Sequence, residues 1–384
     1  IGLVEGDLYN SRVLARSRQN LTNLGFFEDV KVDTRRGTAE DRVDIDVGVK
    51  EKPTGSFSLG AGFSSIDGLL GAGSISQNNF LGLGQRIIVS AQLGSNANRF
   101  VLRFQDPHIL DTETSLDLSL YNQRLLFQDF TGFDQDAVGG SLTLARRLTR
   151  DLVGSLLYKY EQVDIFNIVP ELANDPRIVP GKTTTGSVSV GLSMDLRDNR
   201  RDPTRGFSAT MTYQLAADFF GGDNNFNRFS LDAGYYYPLF WKALGHLRGN
   251  LIIVEPFGSS TQIPTQERVY LGGTNTVRGF KTYSLGPKFP GTDEPIGGNK
   301  AIWFNAELLF PIYEALGVRG LLFIDAGNVF LEGQALSLDL RPTAGGGLRV
   351  ATPFGLVRVE IGFNLDKQVG ERTSAIHLTV GSVF

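Results

Sequence analysis

The chain has 384 residues, 41% hydrophobic and 20% charged, with 46 glycines, 27 phenylalanines and no cysteine. A net charge of −4 without any basic block argues against nucleic acid as a partner, and the lack of thiols excludes a disulfide framework, a thiol nucleophile and thiolate metal sites. No run of about 18 apolar residues is present, so no transmembrane helix is expected; barrel strands alternate and escape hydropathy averaging.

The chain opens Ile1-Gly-Leu-Val-Glu-Gly, with neither an initiator Met nor a signal segment, and reads as mature or truncated. Residues 1–52 have a mixed α/β pattern. Asn10 is placed to cap a helix that carries Val13, Leu14, Leu21 and Leu24 at near-helical spacing, with Gly25 as its stop. A short strand over Phe27 to Val32 follows, then a polar turn. Next comes a period-two strand with Val43, Ile45, Val47 and Val49 on one face. This is too little to bury a full core and reads as part of a domain.

After Pro53 the pattern is strand upon strand. Leu116, Leu118 and Leu120 alternate with serines and Asp117. Val188, Val190, Leu192, Met194 and Leu196 alternate with small polar residues. The same holds for Phe229, Leu231, Ala233, Tyr235 and Tyr237, and for Val357, Val359, Ile361 and Phe363, which alternate with Arg358, Glu360 and Gly362. A soluble β-sandwich shares this alternation. Strands longer than the usual mode of about 5 to 6 residues, aromatic pairs such as Phe219-Phe220 and Phe240-Trp241 at strand ends, and charges along the polar faces point instead to a membrane barrel. The fold class expected is all-β, an antiparallel transmembrane barrel of about sixteen strands over 53–384, with both ends of the barrel on the periplasmic side.

Between Glu255 and Lys300 lie about 40 residues with eight glycines and no convincing strand, far above the ordinary loop length. Strand parity places this loop, 257–298, on the extracellular side, either projecting outward or folding into the lumen. In the strand after it, Ile302, Phe304, Ala306, Leu308 and Phe310 form the apolar face, which turns Trp303, Asn305 and Glu307 inward. In the next, Leu322, Ile324 and Ala326 face lipid, and Phe323 and Asp325 face inward. The two acids lack a mid-strand basic partner of their own, so an arginine from a folded-in loop is the expected counter-charge. A hydrated lumen would keep such a pair weak.

The loop holds "VRGF", Val277, Arg278, Gly279 and Phe280, after "LGG" and before "GP" at 286–287. With "GGNKAIWFNAELLFPI" (297–312), "LFIDAGNVF" (322–330), "GGGLRVATPFGLVRVEIGF" (345–363), "LGFFEDVKVDT" (24–34) and "VDIDVGVKEKPTGSFSLGAGF" (43–63), it resembles the BamA family of Gram-negative outer-membrane assembly barrels. The resemblance implies a periplasmic POTRA domain, present in part over 1–52, ahead of a 16-stranded barrel. It also implies a lumenal loop whose Arg278 meets Glu307 and Asp325. A second "RGF", Arg205 to Phe207, follows Asp202-Pro-Thr and reads as a hairpin turn.

The last strand, Ile376 to Phe384, ends on an aromatic and is similar to the family's C-terminal assembly signal. The first, Thr54 to Phe63, is rich in Gly and Ser, so a weak seam is expected where Ser58, Gly60 and Gly62 meet Val380 and Phe384. The function implied is a non-enzymatic insertase core that folds barrel proteins into the outer membrane at this seam. The alternative is a channel or translocator of the two-partner secretion type. Implied partners are unfolded outer-membrane proteins as clients, outer-membrane lipids, accessory lipoproteins and periplasmic chaperones. No cofactor, metal or catalytic residue is expected, since His108, His246 and His377 lie far apart in sequence and none sits beside a Ser/Asp pair.

Overall fold

The structure is a computed structural model that describes residues 4–39, 41–200, 202–352 and 355–381. Helix α1 (Ser11–Asn23) begins at Asn10, whose side-chain oxygen accepts from the N–H groups of Arg12 and Val13, and ends at Gly25 with φ +71°. It lies on β1 (Phe27–Arg36), where Arg18 donates to the Val30 carbonyl at 3.1 Å. β1 pairs antiparallel with β2 (Val43–Glu51). This element buries Leu14 and Val30 well, while Val43 and Val49 remain exposed.

Sixteen strands then close a single barrel in sequence order, each antiparallel to its neighbours. They are β3 (Gly55–Ser64), β4 (Gly68–Phe80), β5 (Gln85–Gly94), β6 (Ala97–Asp106), β7 (Thr114–Leu125), β8 (Asp134–Arg147), β9 (Leu152–Phe166) and β10 (Gly181–Asp195). The second half comprises β11 (Gly206–Ala216), β12 (Phe226–Pro238), β13 (Leu244–Pro256), β14 (Lys300–Tyr313), β15 (Val318–Phe330), β16 (Arg341–Thr352), β17 (Gly355–Asn364) and β18 (Ser374–Val380). Closure pairs backbone groups that hydrocarbon cannot satisfy. The period-two pattern places Leu59, Ile75, Val190, Leu322 and Ile324 on an exposed outer face, as lipid requires. Phe219 sits at one rim and Phe240 with Trp241 at the other, all exposed, where amphipathic rings anchor a barrel at the two interfaces.

The lumen is not a uniform pore. The long segment between β13 and β14 folds inward. Its Ile263, Val269, Leu271, Val277, Phe280 and Leu285 pack with Phe226, Val254, Ala301, Trp303 and Val329 of the wall into one apolar cluster. Three isolated bridges shape it: Val269 to Gly298, Leu271 to Leu285, and Lys288 to Pro295. A second cluster joins its Phe289 and Ile296 to Phe133, Leu172 and Ile178 of neighbouring extracellular loops and to Val163 and Ile165 of β9. Below the loop, on the periplasmic side, a cavity of about 1290 Å³ remains, bordered by His246, Glu307, Arg319 and Arg349 and reaching Gly60 and Val380.

Ile324 sits mid-strand on the outer face. Ile324→Arg should therefore lower barrel stability by about 2–4 kcal/mol in urea titrations followed by Trp fluorescence, whereas Thr212→Arg, on the inward-facing register of β11, should shift the midpoint little. Equal shifts would contradict the assignment of faces.

Candidate functional site: the loop lock and the seam

The loop tip is a tight turn built before any charge meets. The Gly272 N–H donates to Thr276 Oγ1, the Gly273 N–H to the Val277 carbonyl, and Asn305 of β14 donates to the Thr276 carbonyl at 2.6 Å. Val277 is fully buried, and its methyl occupies the space that a Cβ on Gly327 would fill. Gly279 has φ +96°, which an L side chain adopts only with strain. Gly362 on β17 is the landing point: a Cβ there would lie 2.5 Å from the Gly279 nitrogen.

These contacts deliver Arg278 into a pocket of carboxylates. Its Nε and Nη2 reach the two oxygens of Asp325 at 2.7 Å each, and its own N–H donates to Asp325 Oδ2 at 3.0 Å. Nη1 donates to Glu307 at 2.7 Å and to Glu360 at 3.0 Å. The guanidinium lies 3.6 Å above the Phe323 ring centroid, within cation–π range. The Arg278 side chain is 2% exposed, Glu307 8%, Asp325 and Glu360 0%. Burial by itself would pull the Arg278 pKa down; hydrogen bonding to Asp325 and the charges of Asp325, Glu307 and Glu360 outweigh it and hold it above its ordinary value. Phe280, also buried, packs beneath Arg341, which pairs with Glu371 and Asp366 of the β17–β18 loop.

Two expectations change. Glu307 does have basic partners from other strands of the wall, whereas Asp325 pairs with Arg278 among the described residues. Arg349 of β16 contacts Glu307 at 2.7 Å and Glu360 at 2.8 Å, Arg358 of β17 contacts Glu360 at 3.1 Å, and His246 of β13 contacts Glu307 at 3.1 Å. Three arginines thus face three carboxylates, and Arg278, Asp325 and Glu360 are buried where a hydrated lumen was expected, while Glu307 and Arg349 border the cavity below. Removing one member of a buried pair costs about 3–5 kcal/mol, because a charge is left uncompensated. Glu360, Arg349, Arg358 and His377 were not singled out in the sequence, although alternation turns all four inward. The second "RGF" is a turn: the Asp198 carboxylate accepts from the N–H groups of Thr204 and Arg205, and Asp202 pairs with Arg319 at 2.8 Å.

At the seam, two register pairs join β18 to β3 among the described residues, Thr379 to Ser64 and Val380 to Phe63. Seven join β18 to β17, and fourteen join β9 to β10. Ser58 and Gly60 pair with Ser74 and Ala72 of β4 and have no described partner on β18. A Cβ on Gly62 would lie 2.7 Å from the Val380 carbonyl, so the end of β18 leans over the lumenal side of β3. Ser65, just past β3, brackets β18 by donating to the Leu378 carbonyl and accepting from its N–H. Phe384 lies outside the described residues. Among the described residues no group of three His, Asp or Glu side chains is placed to hold a metal ion.

Gly362→Ala should unseat the loop, because the added methyl meets backbone and not a flexible side chain. In folded, reconstituted barrels, trypsin cleavage after Arg278 should accelerate at least about tenfold, as loss of roughly 1.4 kcal/mol of docking predicts. Unchanged protection would contradict this geometry.

Comparison with known proteins fits this geometry. The family model described as the Omp85 superfamily domain matches residues 79–384, and the POTRA model, described as a surface antigen variable number repeat, matches 1–52. Outer membrane protein assembly factor BamA of Neorickettsia risticii is 28% identical over all of this chain and 52% of its own length. The protein of that name from Neisseria meningitidis serogroup B is 26% identical over 99% of this chain and 54% of its own. The chain thus spans about half the length of the curated relatives it matches. The crystal structure of BamA from Haemophilus ducreyi lacking POTRA domains 1–3 shares the fold, with TM-score 0.87 and 22% identity over 100% of this chain and 80% of that one. A 16-stranded barrel preceded by a POTRA element, matched over most of its length by the superfamily's model, places the chain in the Omp85 superfamily, with its likeness to the curated BamA assembly factors.

Proposed function

We propose that this chain folds and inserts β-barrel proteins into the bacterial outer membrane, without covalent chemistry, by offering the β3–β18 seam to an incoming strand. The observation that carries the reading is the seam itself: among the described residues, two register pairs where other neighbours share seven to fourteen. An unpaired strand edge is a template for β-augmentation, and in lipid each pairing relieves a costly unmet group. Residues 1–52 would hang in the periplasm and 53–384 would form the inserted barrel. The lock made by Val277, Arg278, Gly279, Phe280, Glu307, Phe323 and Asp325 would keep β14 to β18 in register while β3 yields. Clients are unfolded outer-membrane proteins, and the lipid beside the seam is part of the site. Accessory lipoproteins and periplasmic chaperones are proposed from family likeness alone.

A conducting channel is the competing reading. The apolar packing of the loop across the extracellular half of the lumen weighs against it.

The test is reconstitution in liposomes with an unfolded client barrel, following its heat-resistant gel mobility. Faster folding than in empty liposomes is expected. Arg278→Ala should slow client folding about tenfold or more, given the 3–5 kcal/mol scale of a broken buried pair, while its own folded yield falls much less. Arg278→Lys should restore little, because a point charge cannot engage three carboxylates at once. No acceleration combined with large ion conductance would favour the channel.

A further inference from the structure

The lock's ionic partners lie on β14, β15 and β17, so they do not reach the seam strand. One contact does. The N–H of Gly279 donates to Nε2 of His377 on β18 at 3.2 Å, and among the described residues this is the hydrogen bond that joins the loop to β18. His377 is 2% exposed and stands opposite Glu360 in the β17–β18 register. It faces Glu360 and Arg358 of β17, Arg278 of the loop and Asp325 of β15. Both acids are already engaged by arginines: Glu360 by Arg278, Arg349 and Arg358, Asp325 by Arg278. An imidazole that accepts through Nε2 carries its proton on Nδ1, so the contact requires the neutral ring.

The position matters because of what β18 lacks. From Ser374 to His377 it is paired to β17 on one side and, among the described residues, has no β3 partner. A strand bonded along a single edge is held in place by whatever touches its inner face. Here the loop touches it at His377, while Ser65 holds it further along at Leu378.

We propose that His377 is a positioning residue that ties the docked loop to the seam strand, so that undocking the loop loosens β18 and displacing β18 loosens the loop. Such coupling is reciprocal by linkage. This inference rests on the insertase reading and deepens it by connecting the lock to the seam.

The chain has no cysteine, so one engineered thiol is a clean reporter. Thr282, three residues past Gly279 and buried, becomes reactive once the loop lifts. Thr282→Cys would be placed in the wild-type background and with His377→Gln, His377→Asn and His377→Leu. Maleimide labelling would be timed in liposomes without client, after gel mobility confirms a folded barrel. Gln places an oxygen where Nε2 lies and should label at the wild-type rate. Asn is too short to reach and Leu has no acceptor; both should label about tenfold faster, the effect of one buried N–H left unpaired. If Leu does not fold, the contrast between Gln and Asn decides. Equal labelling in all backgrounds, or Gln as fast as Asn, would overturn the proposal. Because no client is present, this outcome is independent of whether the chain accelerates client folding.

Discussion

Hydrocarbon supplies no hydrogen bonds, so a strand crossing the membrane must find every backbone partner in its neighbours. That constraint closes β3 to β18 into a ring, fixes the antiparallel order, and makes any poorly paired junction expensive. Fifteen of the sixteen junctions share seven or more register pairs; the β3–β18 junction shares two among the described residues. The sparse pairing proposed as the working seam has a local basis. Gly60 and Gly62 bring no side chain to the seam, and Gly62 lets the β18 backbone ride over β3.

A weak junction threatens the whole ring unless the strands beside it are held some other way. In the proposed account the loop meets this need from inside. Arg278 joins β14, β15 and β17 through Glu307, Asp325 and Glu360, Arg349 and Arg358 add wall-to-wall pairs, and Gly362 receives the loop backbone. The desolvation cost of an arginine buried this deeply is offset by three carboxylates and the face of Phe323. Stability is therefore uneven around the barrel, firm along the last strands and soft at the first.

Period-two alternation made the barrel and the inward direction of Glu307, Phe323 and Asp325 legible, because a strand has only two faces and lipid accepts one kind of residue. The helix at Ser11–Asn23 was equally readable from Asn10 and Gly25. What alternation does not carry is how far around the barrel a loop reaches. Glu360 and His377 are turned inward by the same rule, yet only the docked loop shows that Arg278 and Gly279 touch them. The burial of Arg278 was also out of reach, since apolar loop residues such as Val277 and Leu271, far apart in sequence from the wall, pack beside it.

Hydrogen–deuterium exchange on the reconstituted barrel tests the central claim most directly, since amide protection reports local opening. The account predicts fast exchange along Gly55–Ser64, slow exchange along Leu152–Phe166, and slow exchange in β14 and β15 where the loop is docked. Uniform protection around the ring, with the first strand as slow as the rest, would contradict it.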